Sequence, residues 1–307
     1  MIFPPKPQKG DTILLVSPSS PLKAEEPVER IAQAVEKRGY RVRIGASCRG
    51  QTACGYAAAS PEIRAGDING GFADPDIKAI WCTRGGSTAA RMLPLLDYDL
   101  IRAHPKVLLG FSDVTSLHMA LQQRCGLVTY HGPTANRLLQ FAENDWSWEG
   151  LGAVLEMGDQ LAIADPPDEA ILSLRPGTAC GELIGGNLSL VTASLATPWE
   201  IDTTGRVLFL EDVGEAVYAL ERMLNQLRWA GILDRAAAVV FGPFTSCRNA
   251  YREDYGPLEL LRDFFAEYPK PVIANVRSAH CMPMVTLPLG ACCQVDGGRG
   301  ALTVFRK

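Results

Sequence analysis

Residues 106–126 read KVLLGFSDVTSLHMALQQRCG, and the fold turns on this stretch. A short apolar run, Val107-Leu108-Leu109, closes on Gly110. After Phe111, Ser112 and Asp113, the residues Val114, Leu117, His118 and Leu121 recur at the spacing of an amphipathic helix. Strand, abrupt turn, serine and helix together form the geometry that holds a nucleophile clear of a sheet. Ser112 would also stand at a helix N-terminus, where free N–H groups and the helix dipole favour developing negative charge. On this stretch alone, helix capping is the commoner role for Ser112 or Asp113. The stretch also departs from G-x-S-x-G, because its fifth position is Val114.

Working outward, residues 12–17 (TILLVS) read as a buried strand and 25–38 as a helix. Val28, Ile31, Ala32 and Val35 form the apolar face of that helix, and Gly39 ends it. Residues 40–44 alternate as a second strand, giving a βαβ start and hence a parallel sheet. A helix over 63–72, a strand over 78–83, a helix over 89–96 and strands at 107–109 and 128–131 complete an α/β domain. The 78–83 strand runs into Arg84-Gly85-Gly86-Ser87-Thr88. There backbone N–H groups could approach a ligand, although from spacing alone a plain tight connection is the favoured reading of the glycines.

The aromatic, acidic and proline-rich patches ENDWSWEG, DPPDEA and LRPG mark a change of composition. The expected division is an N-terminal domain over 1–160, a linker over 161–178 and a C-terminal domain over 179–307. In the second half, strands are expected at 181–184, 206–210, 236–241 and 271–276. Gly185-Gly186-Asn187 opens a helix over 188–195, and further helices cover 215–230 and 258–265. The longest of these carries the stripe Ala219, Met223, Leu224 and Leu227. A hairpin across Asp296-Gly297-Gly298 closes the chain.

The 307 residues are 47% hydrophobic and 21% charged, with a net charge of −4 and no Lys/Arg-rich run, so nothing supports a nucleic-acid partner. The start, MIFPPKPQKGD, lacks the apolar stretch of a signal peptide, and no apolar run is long enough to span a membrane. A cytoplasmic location without membrane attachment is therefore expected. Nine scattered cysteines, at 48, 54, 82, 125, 180, 247, 281, 292 and 293, form neither a disulfide framework nor a zinc pattern. No metal and no cofactor is expected.

A serine nucleophile needs a base, and the base needs a carboxylate to fix its tautomer. Of the four histidines, His104 reads as surface and His118 as a core residue on a helix face. His131 ends a strand beside Gly-Pro. His280 lies in a strand-end loop, Arg277-Ser278-Ala279-His280-Cys281-Met282-Pro283, the kind of loop that carries catalytic groups in α/β folds. Glu211, at the end of a strand, is the best-placed carboxylate, with Asp212 and Glu215 as similar candidates. Ser112, Glu211 and His280 would then meet where two domains join. Cys82 and Cys281 are alternative nucleophiles, but neither has a context that lowers a thiol pKa. Trp199, in Pro198-Trp199-Glu200, reads first as a core residue, ahead of an aromatic stacking on a ligand.

Taken together, several segments resemble the LD-carboxypeptidase (muramoyltetrapeptide carboxypeptidase) family of serine peptidases, which includes microcin C immunity-type enzymes. They are TILLVSPSSP, TRGG (83–86), LLGFSDVTSLHMAL (108–121), YHGP (130–133) and GELIGGNLSLV (181–191), followed by the long ATPWEIDTTGRVLFLEDVGEAVYALERMLNQLRWAG (196–231) and HCMPMVTLPLG (280–290). The resemblance implies a flavodoxin-like parallel-sheet N-terminal domain, a smaller α/β C-terminal domain and a homodimer. It also implies a metal-free triad of Ser112, Glu211 and His280, with an oxyanion hole from the N–H groups of Asp113 and Gly86. Arg84, Gly85 and Asn187 would touch substrate. The implied reaction removes the terminal D-alanine of murein tetrapeptides by cutting an L,D-peptide bond during cytoplasmic cell-wall recycling. The alternative is an immunity-type hydrolase of peptide-nucleotide or related amide conjugates. Two departures stand out. The glycine loop reads R-G-G-S-T where the family has R-G-G-Y-G, and Ala279 precedes the histidine where a glycine is usual, so alanine would be strained if that position needed positive φ.

Overall fold

The computed structural model describes residues 1–50, 55–142, 145–164, 166 and 169–306. The described chain forms two compact units, Met1–Glu156 and Met157–Lys307. Cys54 and parts of the ENDWSWEG and DPPDEA patches lie outside the described residues.

The first unit alternates strands and helices: β1 (Thr12–Val16), α1 (Val28–Glu36), β2 (Arg41–Ile44), α2 (Pro61–Ala73), β3 (Ile77–Cys82), α3 (Tyr98–Ala103), β4 (Val107–Gly110), α4 (Thr115–Cys125), β5 (Thr129–His131) and α5 (Trp146–Leu155). Its strands lie in the order β5-β4-β3-β1-β2 and pair in parallel. Read from the other edge this is 2-1-3-4-5, the flavodoxin-like doubly wound order, whose direction of winding reverses between β1 and β3. Strands covered on both faces must be apolar throughout, and every residue of β1 and β4 is buried. The expected face of α1 is the buried one: Val28, Ile31, Ala32 and Val35. Residues 89–96 differ from expectation. Ala89–Leu95 is a 3-10 helix containing Pro94, which lacks the N–H an α-helix needs there.

The second unit contains β6 (Gln160–Ala162), β7 (Leu172–Arg175), β8 (Thr178–Asn187), α6 (Leu188–Ala193), β9 (Val207–Val213), α7 (Val217–Trp229), α8 (Ile232–Arg235), β10 (Ala238–Thr245), α9 (Pro257–Phe264), β11 (Val272–Ala274), β12 (Leu287–Leu289), β13 (Cys292–Asp296) and β14 (Ala301–Phe305). Among the described residues, eight of these strands form a sheet in the order β6-β14-β13-β8-β9-β10-β11-β7. Its centre, β8 to β11, is parallel. The expected hairpin of β13 and β14, together with β6, pairs antiparallel on one side, and β7 does so on the other. Residues 161–178, expected as a linker, thus supply β7 and most of β6 to this sheet. The second unit is consequently only slightly shorter than the first. On α7 the buried stripe is Val217, Ala219, Leu220, Leu224 and Leu227, whereas Met223 is only half-buried.

His118 is the core residue it was expected to be, and His104 is exposed. On α4, His118 sits fully buried, with Nδ1 2.8 Å from Thr129 Oγ1 and Nε2 2.9 Å from the Gly110 carbonyl. A carbonyl can only accept, so Nε2 carries the proton and Nδ1 accepts from the threonine hydroxyl. Burial lowers the imidazole pKa from 6.5 to about 4. The ring therefore stays neutral while the unfolded chain binds a proton between those values, so stability rises with pH across that window. As the pH falls from 6.5 to about 4, the fold should lose roughly 3 kcal/mol. Urea unfolding across this range should show that loss in the wild type and a flatter curve in His118→Gln; parallel curves would contradict it.

Candidate active site

Ser112 stands one residue, Phe111, beyond the end of β4 and starts a 3-10 turn, Ser112–Val114, that leads into α4. Its backbone is left-handed, with φ 66°. For a residue with a Cβ this costs about 1–3 kcal/mol, and such strain gathers at functional sites. The turn lifts the half-buried serine off the strand end and sets it at the N-terminus of a buried helix.

The glycine loop after β3 reaches the same place. A Cβ on Gly85 would lie 2.7 Å from Ser112 Cβ and 2.8 Å from its Oγ, so only glycine lets the loop pass the serine this closely. Gly86 has φ 150°, and a side chain there would strike Ser19 and Ser20. The structure thus brings Ser112, Asp113, Gly85 and Gly86 together. Arg84 stands at the edge of this group, its Nη1 3.8 Å from Glu26 Oε2, while Glu26 Oε1 accepts from Asn136 Nδ2 at 3.0 Å. His131 is buried with its ring 6.0 Å from those of Phe111 and His118, behind the serine turn.

In the second unit, Glu211 and Asp212 lie inside β9 rather than beyond its end. Glu211 is completely buried, and its Oε2 is 2.8 Å from His280 Nδ1. Burial pushes the Glu211 carboxyl above the ordinary carboxylate range; the hydrogen bond and charge of His280 pull it back, while Asp212 adds to the rise. Of the three candidate carboxylates, Glu211 is the one that meets the histidine. Asp212 instead accepts from Ser189 N–H at 2.9 Å and from the Ser189 hydroxyl, fastening the start of α6 to β9.

His280 lies in the loop between β11 and β12. Val285 N–H donates to the Arg277 carbonyl at 2.9 Å, and Arg277 Nη2 donates to the Met282 carbonyl at 3.0 Å, closing the loop across the histidine. Ala279 is buried and is not among the residues with positive φ, so it carries none of the backbone strain that a glycine would have relieved. Asn187, expected to touch substrate, is nearly fully buried. Its Nδ2 donates to Asp212 Oδ1 at 2.9 Å and to Glu211 Oε1 at 3.4 Å, and its Oδ1 accepts from Leu190 N–H. It thereby bridges the two carboxylates. Trp199 is half-buried rather than core.

Burial pushes the Cys82 and Cys281 thiols up, opposite to the shift a thiolate nucleophile needs. The described cysteines are free. Among the described residues, no group of three or more His, Cys, Asp or Glu side chains is arranged to hold a metal ion.

Residues 13–132 match the LD-carboxypeptidase N-terminal domain, and residues 180–295 match the LD-carboxypeptidase C-terminal domain. The chain belongs to the LD-carboxypeptidase family. A probable murein peptide carboxypeptidase of Bacillus subtilis (strain 168) is 36% identical over 284 residues, covering 92% of this chain and 88% of that protein. The crystal structure of a muramoyltetrapeptide carboxypeptidase from Oxalobacter formigenes is similar at TM-score 0.82 and 26% identity, covering 95% of this chain and 97% of that one. The microcin C7 self-immunity protein MccF shares the fold at TM-score 0.90 and 24% identity, covering 100% of this chain and 99% of that one. The chain is therefore a serine-type carboxypeptidase of mixed α/β fold. Among its described residues no helix is long and apolar enough to cross a membrane.

Sequence reading missed several residues that shape this LD-carboxypeptidase: Arg277, the Asn187 bridge, and a buried set around Asp113. Each acts through a partner distant in sequence. Asn187→Ala would leave buried Glu211 and Asp212 oxygens without their amide donor. Stability should fall by about 1–3 kcal/mol, measured by urea unfolding at pH 7; a loss within about 0.3 kcal/mol, the scatter of typical measurements, would contradict the bridging role.

Proposed function

We propose that this LD-carboxypeptidase hydrolyses the L,D-peptide bond holding the terminal D-alanine of murein tetrapeptides. Ser112 is the nucleophile, His280 the base and Glu211 the carboxylate that orients it. The observation that carries the assignment of roles is the 2.8 Å contact between buried Glu211 and His280 Nδ1. With Nδ1–H donated to Glu211, the other ring nitrogen can accept the Ser112 proton. Support for the substrate comes from the name of the Bacillus subtilis relative and from the family match.

Ser112 Oγ attacks the carbonyl of the L-centre at position three while His280 takes its proton. Glu211 stabilises the imidazolium so formed without itself being protonated. The N–H groups of Asp113 and Gly86 receive the oxyanion. Collapse of the tetrahedral intermediate breaks the C–N bond, and His280 returns the proton to the leaving D-alanine nitrogen. Water, deprotonated by the same imidazole, then hydrolyses the acyl-serine. The reaction so written uses no metal and no cofactor. Arg84, partly exposed beside the glycine loop, suits the carboxylate of the terminal residue. The enzyme works in the cytoplasm during recycling of cell-wall fragments, as a homodimer.

Incubation with a murein tetrapeptide should release D-alanine, detected by mass spectrometry, and Ser112→Ala should abolish release. Glu211→Gln should lower kcat on the order of 10⁴-fold, as neutralising the carboxylate does in other serine triads. A folded wild-type sample that leaves the tetrapeptide intact but cleaves an aminoacyl-nucleotide conjugate would instead assign the immunity-type activity.

A further inference from the structure

Asp113 is 1% exposed, yet it is a carboxylate beside the nucleophile. Its Oδ2 accepts three hydrogen bonds: from the Ser19 hydroxyl at 2.5 Å and from the Thr88 and Ala89 N–H groups, each at 2.8 Å. Its Oδ1 is buried without a hydrogen-bond partner among the described residues. A buried carboxylate satisfied at one oxygen only is costly, and stability alone gives no reason to keep it.

The contacts describe what it holds. Ser19 lies in the loop after β1, and Thr88 ends the glycine loop after β3. Thr88 N–H is also 3.1 Å from Ser19 Oγ. On the upstream side of the glycines, Ser20 N–H donates to the Gly85 carbonyl at 3.2 Å. From α2, buried Arg64 reaches into the same knot, its Nη1 donating to the Pro18 carbonyl at 2.6 Å and to the Thr88 carbonyl and Oγ1 at 3.0 Å. Gly85 and Gly86 are thereby fastened on both sides, and the downstream fastening is a side chain covalently next to Ser112. The strand ends so tied are those of β1, β3 and β4, at the point where the sheet reverses its winding.

We infer that the Asp113 side chain is a positioning residue. Through Ser19 and the Thr88 and Ala89 amides, it fixes the Gly85-Gly86 peptide relative to Ser112, so that the Gly86 and Asp113 N–H groups converge on one oxyanion. This rests on the reading of Ser112 as the nucleophile. The role is distinct from the main-chain donor of the same residue, because it acts on where the other donor stands.

The test uses the full chain in two variants, Asp113→Asn and Ser19→Ala. Misplacing one donor should lower kcat by about 10- to 100-fold, somewhat less than deleting a donor outright. KM on the murein tetrapeptide should stay within about threefold, because the loss belongs to the transition state. Calorimetric binding of uncleaved tetrapeptide should be the same in Ser112→Ala and in Asp113→Asn/Ser112→Ala. If Asp113→Asn fails to fold, Ser19→Ala, which removes a single hydroxyl, gives the same kinetic readout. A kcat per folded molecule within about twofold of wild type in Ser19→Ala and in any folded Asp113→Asn would overturn the inference. So would kcat and tetrapeptide binding falling together, which would place the effect in ground-state binding. Full activity in Ser112→Ala alone would instead remove the nucleophile reading, whatever the other variants do.

Discussion

Ser112 adopts a left-handed backbone that a residue with a Cβ enters only at a cost, and much of the first unit bears on keeping it there. His118, fully buried behind it, hydrogen-bonds the Gly110 carbonyl just before the turn. Gly85 comes so close that a methyl group would collide with the serine. Asp113, the next residue, is held by three hydrogen bonds from two other strand ends. A strained turn persists when its surroundings over-determine it, and here they include a neutral histidine, a glycine contact and a buried carboxylate.

The second unit faces a different problem, the burial of an acid. Glu211 has no exposure at all, and burial raises its pKa. Two hydrogen-bonding partners offset that: His280 at Oε2 and Asn187 at Oε1. The same asparagine amide serves Asp212, which fastens the start of α6. One side chain therefore links the acid that meets the histidine to the scaffold beneath it. Arg277 closes the histidine's loop through the Met282 carbonyl.

Much of this was legible in the sequence where the signal is local. The buried runs of β1 and β4, the period of α1 and α7, and the turn at Ser112 can be read from residues close to one another. So can the loop placement of His280, whereas β9 runs on through Glu211 and Asp212 to Val213. The misses follow from non-local physics. Strands β6 and β7 are three and four residues long, and their partners, β14 and β11, are far along the chain, so no local alternation announces them. Helix α5 opens on Asp145 as its N-cap, but its paired tryptophans resemble a change of composition more than a periodic face. The segment after the glycine loop has apolar residues at helical spacing, yet Pro94 makes it 3-10. Ser19, Arg64 and the Asp113 side chain find each other only once three strands lie side by side. In the sequence they are separate polar residues with ordinary surface or capping roles.

The central claim is that Ser112 is a nucleophile activated by His280, itself oriented by Glu211. A fluorophosphonate probe followed by peptide mapping in a mass spectrometer tests it directly. The account predicts a single adduct on Ser112 in the wild-type protein, with labelling slowed by orders of magnitude in His280→Ala. An adduct on another residue, or labelling of Ser112 at an unchanged rate in His280→Ala, would contradict it.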